Sequence, residues 1–398
     1  MRRTHPSLLG VVQREEQEMS HFKLPEWREL SRDEQIPIIN LPTDKTYFVR
    51  GGPGTGKSIL AIHRVARLRD LEPDTSVKLL VYNKALQLHL TDALSASGLE
   101  NTTAQTCHSW IWHMTRFRPP PNVWDYDWKR VREIIQSKTG GKKIIGHLII
   151  DESQDVPSPL LEILSAVSEN ATIFVDDKQA ISTSARQYGL CQLAEIRSIF
   201  DQGPNRTFDL TRNFRNSQKI LNAAHALRPP KDYEIADNAI RQDGPRPALR
   251  RASLAELAER VETYHANNPA DRIGVAVPRG RDREVFRKLL QSEVPTQIYS
   301  NKNANDGTYS ASAAGATVLA QDVMKGLEFD AVFMPFLEDP SLHSEKTPEE
   351  IESNRNLVYV VSTRARNFLE YSHDRDLPSS WLTTALDAAC EAGKIRRV

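Results

Sequence analysis

Eight consecutive residues, Gly51-Gly52-Pro53-Gly54-Thr55-Gly56-Lys57-Ser58, satisfy every fixed position of the pattern GxxxxGK[ST]. Glycines at these positions let backbone N–H groups close around phosphate oxygens, and the helix start that follows adds positive potential. Lys57 is then placed to neutralise the outer phosphates of a nucleotide and Ser58 to ligate Mg²⁺. Such a loop requires a strand before it and a helix after it. The apolar run Thr46–Arg50 and the helical pattern Lys57–Asp70 supply both.

A second chemical element is the run Leu148-Ile149-Ile150-Asp151-Glu152-Ser153-Gln154-Asp155. An apolar strand that ends in two acids sets them at the carboxyl edge of a sheet, where open α/β folds bind ligands. Asp151 there would hold Mg²⁺ through water, and Glu152 would orient or deprotonate an attacking water. An acidic pair after a strand is common in isolation. Downstream of a phosphate loop it is the expected partner.

The elements that must position these groups follow from periodicity. Strands are predicted at Thr46–Arg50, Val77–Asn83, His147–Asp151 and Thr172–Asp176, with helices at Lys57–Asp70, Leu86–Ser95 and Pro159–Val167 between them. A second series has strands at Ala248–Ala252, Ile273–Val277, Ala316–Leu319 and Ala331–Met334, with helices at Leu254–His265 and Asp282–Gln291. The pattern predicts two α/β sheets of parallel strands joined around Gly203–Thr207. Pro119-Pro120-Pro121 and Gly307–Gly315 mark surface loops.

At 398 residues the chain has room for two domains. Its 52 Lys plus Arg balance 52 Asp plus Glu, a neutrality that says nothing about nucleic acid, because a basic groove can coexist with an acidic remainder. Cys107, Cys191 and Cys390 are scattered and odd in number, which argues against a disulfide framework or a CxxC metal site. The apolar run Leu8–Val12 is too short for a secretory signal, and no run reaches the roughly 18–20 residues of a membrane span, so a cytoplasmic location is the expectation. Residues 1–25 read as a polar lead-in, with Met19 an alternative start to Met1.

With these residues in place, the chain resembles the UvrD/Rep type of superfamily 1 DNA helicase over roughly Leu30 to Glu370. Asp151-Glu152-Ser153-Gln154-Asp155 is similar to that group's DExQD box. Gln35, upstream of the phosphate loop, matches the glutamine that reads adenine. Tyr82-Asn83-Lys84-Ala85 and Thr106-Cys107-His108 resemble the motifs that touch single-stranded DNA, which implies DNA contacts at Asn83, Lys84, Thr106 and His108. Val175-Asp176-Asp177-Lys178-Gln179 resembles the third motif, whose glutamine, here Gln179, couples the γ-phosphate to the DNA site.

Leu210-Thr211-Arg212-Asn213-Phe214-Arg215 resembles L-x-x-N-[YF]-R, which implies Phe214 stacked on adenine and Arg215 at the γ-phosphate. Lys325-Gly326-Leu327-Glu328-Phe329-Asp330 is close to KGLEF, with Gly326 near the nucleotide and Glu328 a ribose contact. Asn356–Ala365 resembles the sixth motif and makes Arg364 a second arginine finger. The resemblance implies two RecA-like P-loop domains with MgATP in the cleft between them. They would span 26–205, with a small Trp-rich helical insertion at about 109–143, and 206–398.

Some features depart from the family. The stretches from His108 to Asp151 and from Arg215 to Lys325 leave little room for its two large inserted subdomains. Gln179 is followed by Ala180-Ile181-Ser182-Thr183-Ser184 instead of aromatic residues, and Asp322 stands where His is usual. Trp110, Trp112, Trp124 and Trp128 cluster with Phe117 and Tyr126 among Arg116, Arg118, Lys129, Arg130 and Arg132. Such a cluster suits either base stacking, with Trp124 and Trp128 as platforms, or packing of a helical minidomain. The expected function is an ATP-dependent, 3′→5′ helicase or translocase on single-stranded DNA, in repair or defence. The alternative is an ATP-driven switch that regulates a partner nuclease or DNA-processing complex.

Overall fold

The computed structural model describes residues 25–82, 84–96, 98–99, 104–118, 124–176, 193–200, 207–230, 238–300, 303, 308–310 and 313–398. The N-terminal lead-in before Pro25, Asn83, the Pro119–Pro121 loop, the third motif from Asp177 through Gln179 to Ser184, Cys191, the joint at Gly203, and Gly307 lie outside the described residues.

The first sheet has six parallel strands: β1 (Tyr47–Gly51), β2 (Val77–Val81), β3 (Ala104–Thr106), β4 (Ile145–Ile150), β5 (Ser168–Val175) and β6 (Thr207–Leu210). Their spatial order is β3-β2-β4-β5-β1-β6. Helices α1 (Gln35–Ile39), α2 (Lys57–Leu71), α3 (Lys84–Ala96), α4 (Cys107–Thr115), α5 (Trp128–Thr139), α6 (Ser158–Val167) and α7 (Leu193–Ile199) accompany them. Separate apolar cores cover the two faces, one built on Val49, Leu79 and Ile149 and the other on Phe48, Leu148 and Ile150. Burial on both faces is why β4 reads as a nearly continuous apolar run and not as an alternating one.

The second sheet has seven parallel strands, preceded by the small β7–β8 ribbon (Arg212–Ser217 with Asn238–Arg241). Its members are β9 (Ala248–Arg251), β10 (Arg272–Val277), β11 (Thr296–Ile298), β12 (Gly315–Ala320), β13 (Phe329–Met334), β14 (Ala365–His373) and β15 (Arg396–Arg397), in the order β11-β12-β10-β13-β14-β9-β15. Helices α8 (Gln218–Leu227), α9 (Leu254–Asn267), α10 (Asp282–Leu289), α11 (Pro348–Ser362) and α12 (Trp381–Glu391) cover its faces. Two large parallel sheets, each sandwiched by helices, give the expected α/β architecture of two RecA-like domains. Among the described residues no helix is long and apolar enough to cross a membrane.

Two expectations need correction. The first sheet does not end before residue 206, because β6 pairs in parallel with β1, matching Phe48 to Thr207 and Gly51 to Leu210. Its short polar-apolar run looks like the opening of a new series, yet it is the edge strand of the old one. Trp124 is no stacking platform: it is 0% exposed, lies in the first-sheet core with Trp110, Val131 and Ile135, and stacks on His108 at 4.3 Å. An indole with no exposed face cannot receive a base. Trp128 packs against the same core, whereas Trp112, 39% exposed, lies under the Arg116 guanidinium.

Two outcomes follow for stability. Trp124→Ala should cost about 3–5 kcal/mol in chemical denaturation, and Trp112→Ala less than about 1 kcal/mol. His147, buried on β4 against Thr172, is kept neutral: burial, then Arg64, brings its pKa down from 6.5 to about 4. Its contribution is therefore present above pH 6.5 and lost as pH falls toward 4. Over that interval the melting temperature should fall more steeply in the wild type than in His147→Gln.

Candidate nucleotide site

The strand order decides which chemical groups meet. β1 delivers the phosphate loop, β5 lies beside it, and β4 follows, so residues after these three strands share one carboxyl edge. Gly54 and Gly56 adopt left-handed φ of +72° and +89°. A Cβ on Gly54 would lie 2.5 Å from Asn213 Oδ1, and one on Gly56 would lie 2.6 Å from Gln35 Nε2. The loop therefore folds as a tight cradle that only glycine permits. Thr55 closes it by donating from Oγ1 to Gly52 O at 2.9 Å.

Lys57 lies buried at the start of α2. Its Nζ donates to Gly51 O (2.8 Å), Gly52 O (3.0 Å) and Asp176 Oδ2 (2.9 Å). Beside it Ser58 Oγ donates to Asp151 Oδ2 at 2.5 Å. Asp151 is fully buried, and burial, with the neighbouring Glu152 charge, pushes its carboxyl up to about 6. A carboxylate penalised by burial beside a hydroxyl is a hard-oxygen pair that suits Mg²⁺, which keeps most of its other ligands as water. Among the described residues no cluster of three or more His, Cys, Asp or Glu forms a metal cage.

Glu152 caps the turn Ser153–Asp155 with a left-handed φ of 58°. Its Oε2 accepts a hydrogen bond from Gln154 Nε2, and Gln154 Oε1 accepts from Asp176 N at 2.9 Å. Burial acts to raise its pKa, but Lys325, Lys57 and Arg364 outweigh it and draw the carboxyl down to about 2.

The second lobe closes the pocket from above. Phe214 N donates to Gly54 O (2.8 Å), and Asn213 Nδ2 donates to Pro53 O (2.8 Å). Arg215 pairs with Glu328 and reaches Thr363 O at 3.4 Å, while its buried Nε meets no hydrogen-bond partner among the described residues. Arg364, 2% exposed between α11 and β14, donates to Val360 O at 3.1 Å. Burial, then the neighbouring Arg215, brings the Arg364 pKa down to about 10. Two guanidiniums that repel each other in a desolvated pocket create a place where an anion is stabilising. Gly326 (φ +82°) sets the opposite wall against α3, 3.0 Å from Leu86 Cβ to a Cβ built on it.

One small pocket is lined by Gly54, Lys57, Ser58, Glu152, Arg215 and Arg364, and Gly326 and Glu328 also border it. Next to it a cleft of about 560 Å³ is lined by Gln35, Ile59, Phe214 and Glu328. There Gln35 is fixed by accepting from Ser31 N (3.0 Å) and donating to Thr55 O (3.1 Å). The preceding Glu34 accepts from Thr211 Oγ1 (2.6 Å) and from the backbone of Thr211 (3.1 Å) and Arg212 (3.3 Å), tying this segment to the crossing between lobes.

The structure thus brings together Gln35, Gly51, Gly52, Pro53, Gly54, Thr55, Gly56, Lys57, Ser58, Asp151, Glu152, Phe214, Arg215, Gly326, Glu328 and Arg364. Of the residues expected to meet DNA, Asn83 lies outside the described residues, and Lys84, Thr106 and His108 line neither cavity. Lys84 donates to Gln87, Thr106 caps α4, and His108 bonds Tyr126 OH (2.9 Å) with its pKa brought down by burial to about 4. Sequence reasoning gave no role to Asn213, Gln154 or Lys325. All three lie inside recognised motifs, and only three-dimensional proximity reveals their partners.

Residues 35–185 match the model of a family described as AAA domain. A protein of Acanthamoeba polyphaga mimivirus described as a candidate ATP-dependent DNA helicase is 25% identical over 242 residues, covering 56% of this chain. The chain spans about a third (34%) of that relative's length. The C-terminal domain of a candidate DNA helicase from Lactobacillus plantarum overlaps 46% of this chain and 98% of its own, at 15% identity and a TM-score of 0.34.

Crowding at Gly54 is directly testable. Gly54→Ala should weaken binding of a fluorescent ATP analogue about tenfold or more, equivalent to about 1.4 kcal/mol. Gly98→Ala, with a similar φ of +73° and nothing within 4 Å of the added Cβ, should leave binding unchanged.

Proposed function

We propose that the chain is an ATP hydrolase that converts lobe closure into movement along single-stranded DNA. The observation that carries this reading is one pocket bordered by Lys57, Ser58 and Glu152 from one lobe and by Arg215 and Arg364 from the other. The similarity to AAA domains and to a candidate ATP-dependent DNA helicase supports it.

The adenine base lies in the cleft between Ile59 and Phe214, read by Gln35, with Glu328 toward the ribose. Lys57 and the glycine cradle hold the phosphates. Ser58, and Asp151 through water, would hold Mg²⁺, which would supply positive charge against the outer phosphates. Glu152 receives the proton of the attacking water, and Arg215 and Arg364 stabilise the charge spreading over the transferred phosphoryl group, each such arginine contributing about 10³–10⁵ in rate. Arg215 must exchange Glu328 for phosphate to do so. Loss of the γ-phosphate then removes its share of the attraction between the lobes, which favours their parting. The 3′→5′ polarity and a place in repair or defence belong to this proposal through the family resemblance.

A second reading, an ATP-driven switch acting on a nuclease or other DNA-processing partner, draws on one specific observation. Between β3 and β4 the described residues form two short helices, α4 and α5, and no other helix or strand. Arg215 and Lys325 are separated by elements of the β7–β8 ribbon and of the second sheet.

The wild type should hydrolyse ATP faster with single-stranded DNA, and Lys57→Ala should be slower by about 10²-fold or more. Hydrolysis indifferent to DNA would rule out the motor. In a strand-displacement assay, unwinding by the purified chain supports the motor; unwinding only with a partner supports the switch.

A further inference from the structure

Lys325 belongs to the second lobe, but its charge is directed at the first. It lies immediately before Gly326, 2% exposed, and its Nζ pairs with Asp155 and stands 3.2 Å from Glu152 Oε2. Both carboxylates come from one short segment after β4, the turn Ser153–Asp155 and the Glu152 that caps it. An ammonium withdrawn from water needs a counter-ion, and Asp155 alone supplies one. The second contact, to Glu152, goes beyond neutralisation.

Glu152 is already held from its own lobe by Gln154, which is anchored on the backbone of Asp176. Lys325 adds a grip from the facing lobe. We infer that Lys325 is a positioning residue for Glu152, through which closure of the lobes sets the carboxylate that receives the proton of the attacking water; the inference rests on the hydrolysis reading above. Arg215 and Arg364 complete the phosphate side of the pocket on closure, and Lys325 completes the water side. When the lobes part, Lys325 leaves with β13 and its neighbours, and of these two contacts Glu152 keeps the one to Gln154. A nucleotide bound to an open molecule then meets an unprepared carboxylate as well as missing guanidiniums.

The competing explanation is that Lys325 serves only as the counter-ion of buried Asp155. Steady-state kcat and KM for ATP, equilibrium binding of a fluorescent ATP analogue and melting temperatures of four proteins separate the two. They are the wild type, Lys325→Met, Lys325→Arg and the double variant Lys325→Met/Asp155→Asn. Lys325→Met is expected to keep analogue affinity within about threefold while kcat falls about 30-fold or more, the pattern of a group needed in the transition state. Lys325→Arg should recover part of the rate, because it restores a cation to Glu152. The double variant should stay as slow as Lys325→Met.

Wild-type kcat in the double variant would overturn the inference, since it would show that Asp155 alone requires the lysine. So would an unchanged kcat in Lys325→Met, or a loss of analogue binding in the double variant that matches its loss of rate. If Lys325→Met fails to fold, the double variant, which buries one carboxylate fewer, carries the same test. A wild type that binds ATP without hydrolysing it overturns the hydrolysis reading and this inference together. Hydrolysis with an unaffected double variant overturns this inference alone.

Discussion

Charge buried between two lobes must be compensated, and where the partner lies in the opposite lobe this constraint holds the two together. Lys57 is neutralised by Asp176 within the first lobe, but Lys325 of the second lobe has its counter-ions, Glu152 and Asp155, in the first. Arg364 sits beside Arg215 at a cost set by burial and repulsion. The two sheets therefore do more than pack together. Each completes an electrostatic environment that the other leaves unfinished, and the cleft between them favours an added anion with an accompanying cation.

Steric contacts enforce the same arrangement. Gly54 admits the backbone of Phe214 at hydrogen-bonding distance, and Gly326 admits α3. Leu88 of α3 also packs on the core of the second sheet. Close approach at these points fixes the register in which ionic groups face one another. Small displacements there change distances on which Coulomb energies depend strongly in a medium of low dielectric.

Much of this was legible in the residues. The phosphate loop, the acids after β4 and the arginines of the second lobe are contiguous motifs, and local spacing carries them. Strand positions were readable because parallel strands buried on both faces form apolar runs, as at β4, β10 and β13. β6 was assigned to the wrong lobe because an edge strand of four residues has little pattern of its own, and its partner β1 lies far away in sequence. The roles of Lys325, Asn213 and Gln154 were hidden for a similar reason: each is defined by a partner on a remote segment. The Trp-rich insertion illustrates a composition that fits two environments equally well. Only burial separates them, and it removes Trp124 from any surface role.

The carboxylate of Glu34, one residue before Gln35, uses both of its oxygens on the chain where it passes from β6 to β7. The polypeptide thus leaves the first lobe clamped to the segment that carries Gln35. A rotation of the second lobe about this crossing would have its fulcrum beside the pocket that Lys57 and Arg215 line, so the guanidiniums near the axis would travel a short way while the outer strands of the far sheet swept a longer arc. Geometry of this kind turns ångström-scale adjustments beside the pocket into larger displacements at the far edge of the second sheet.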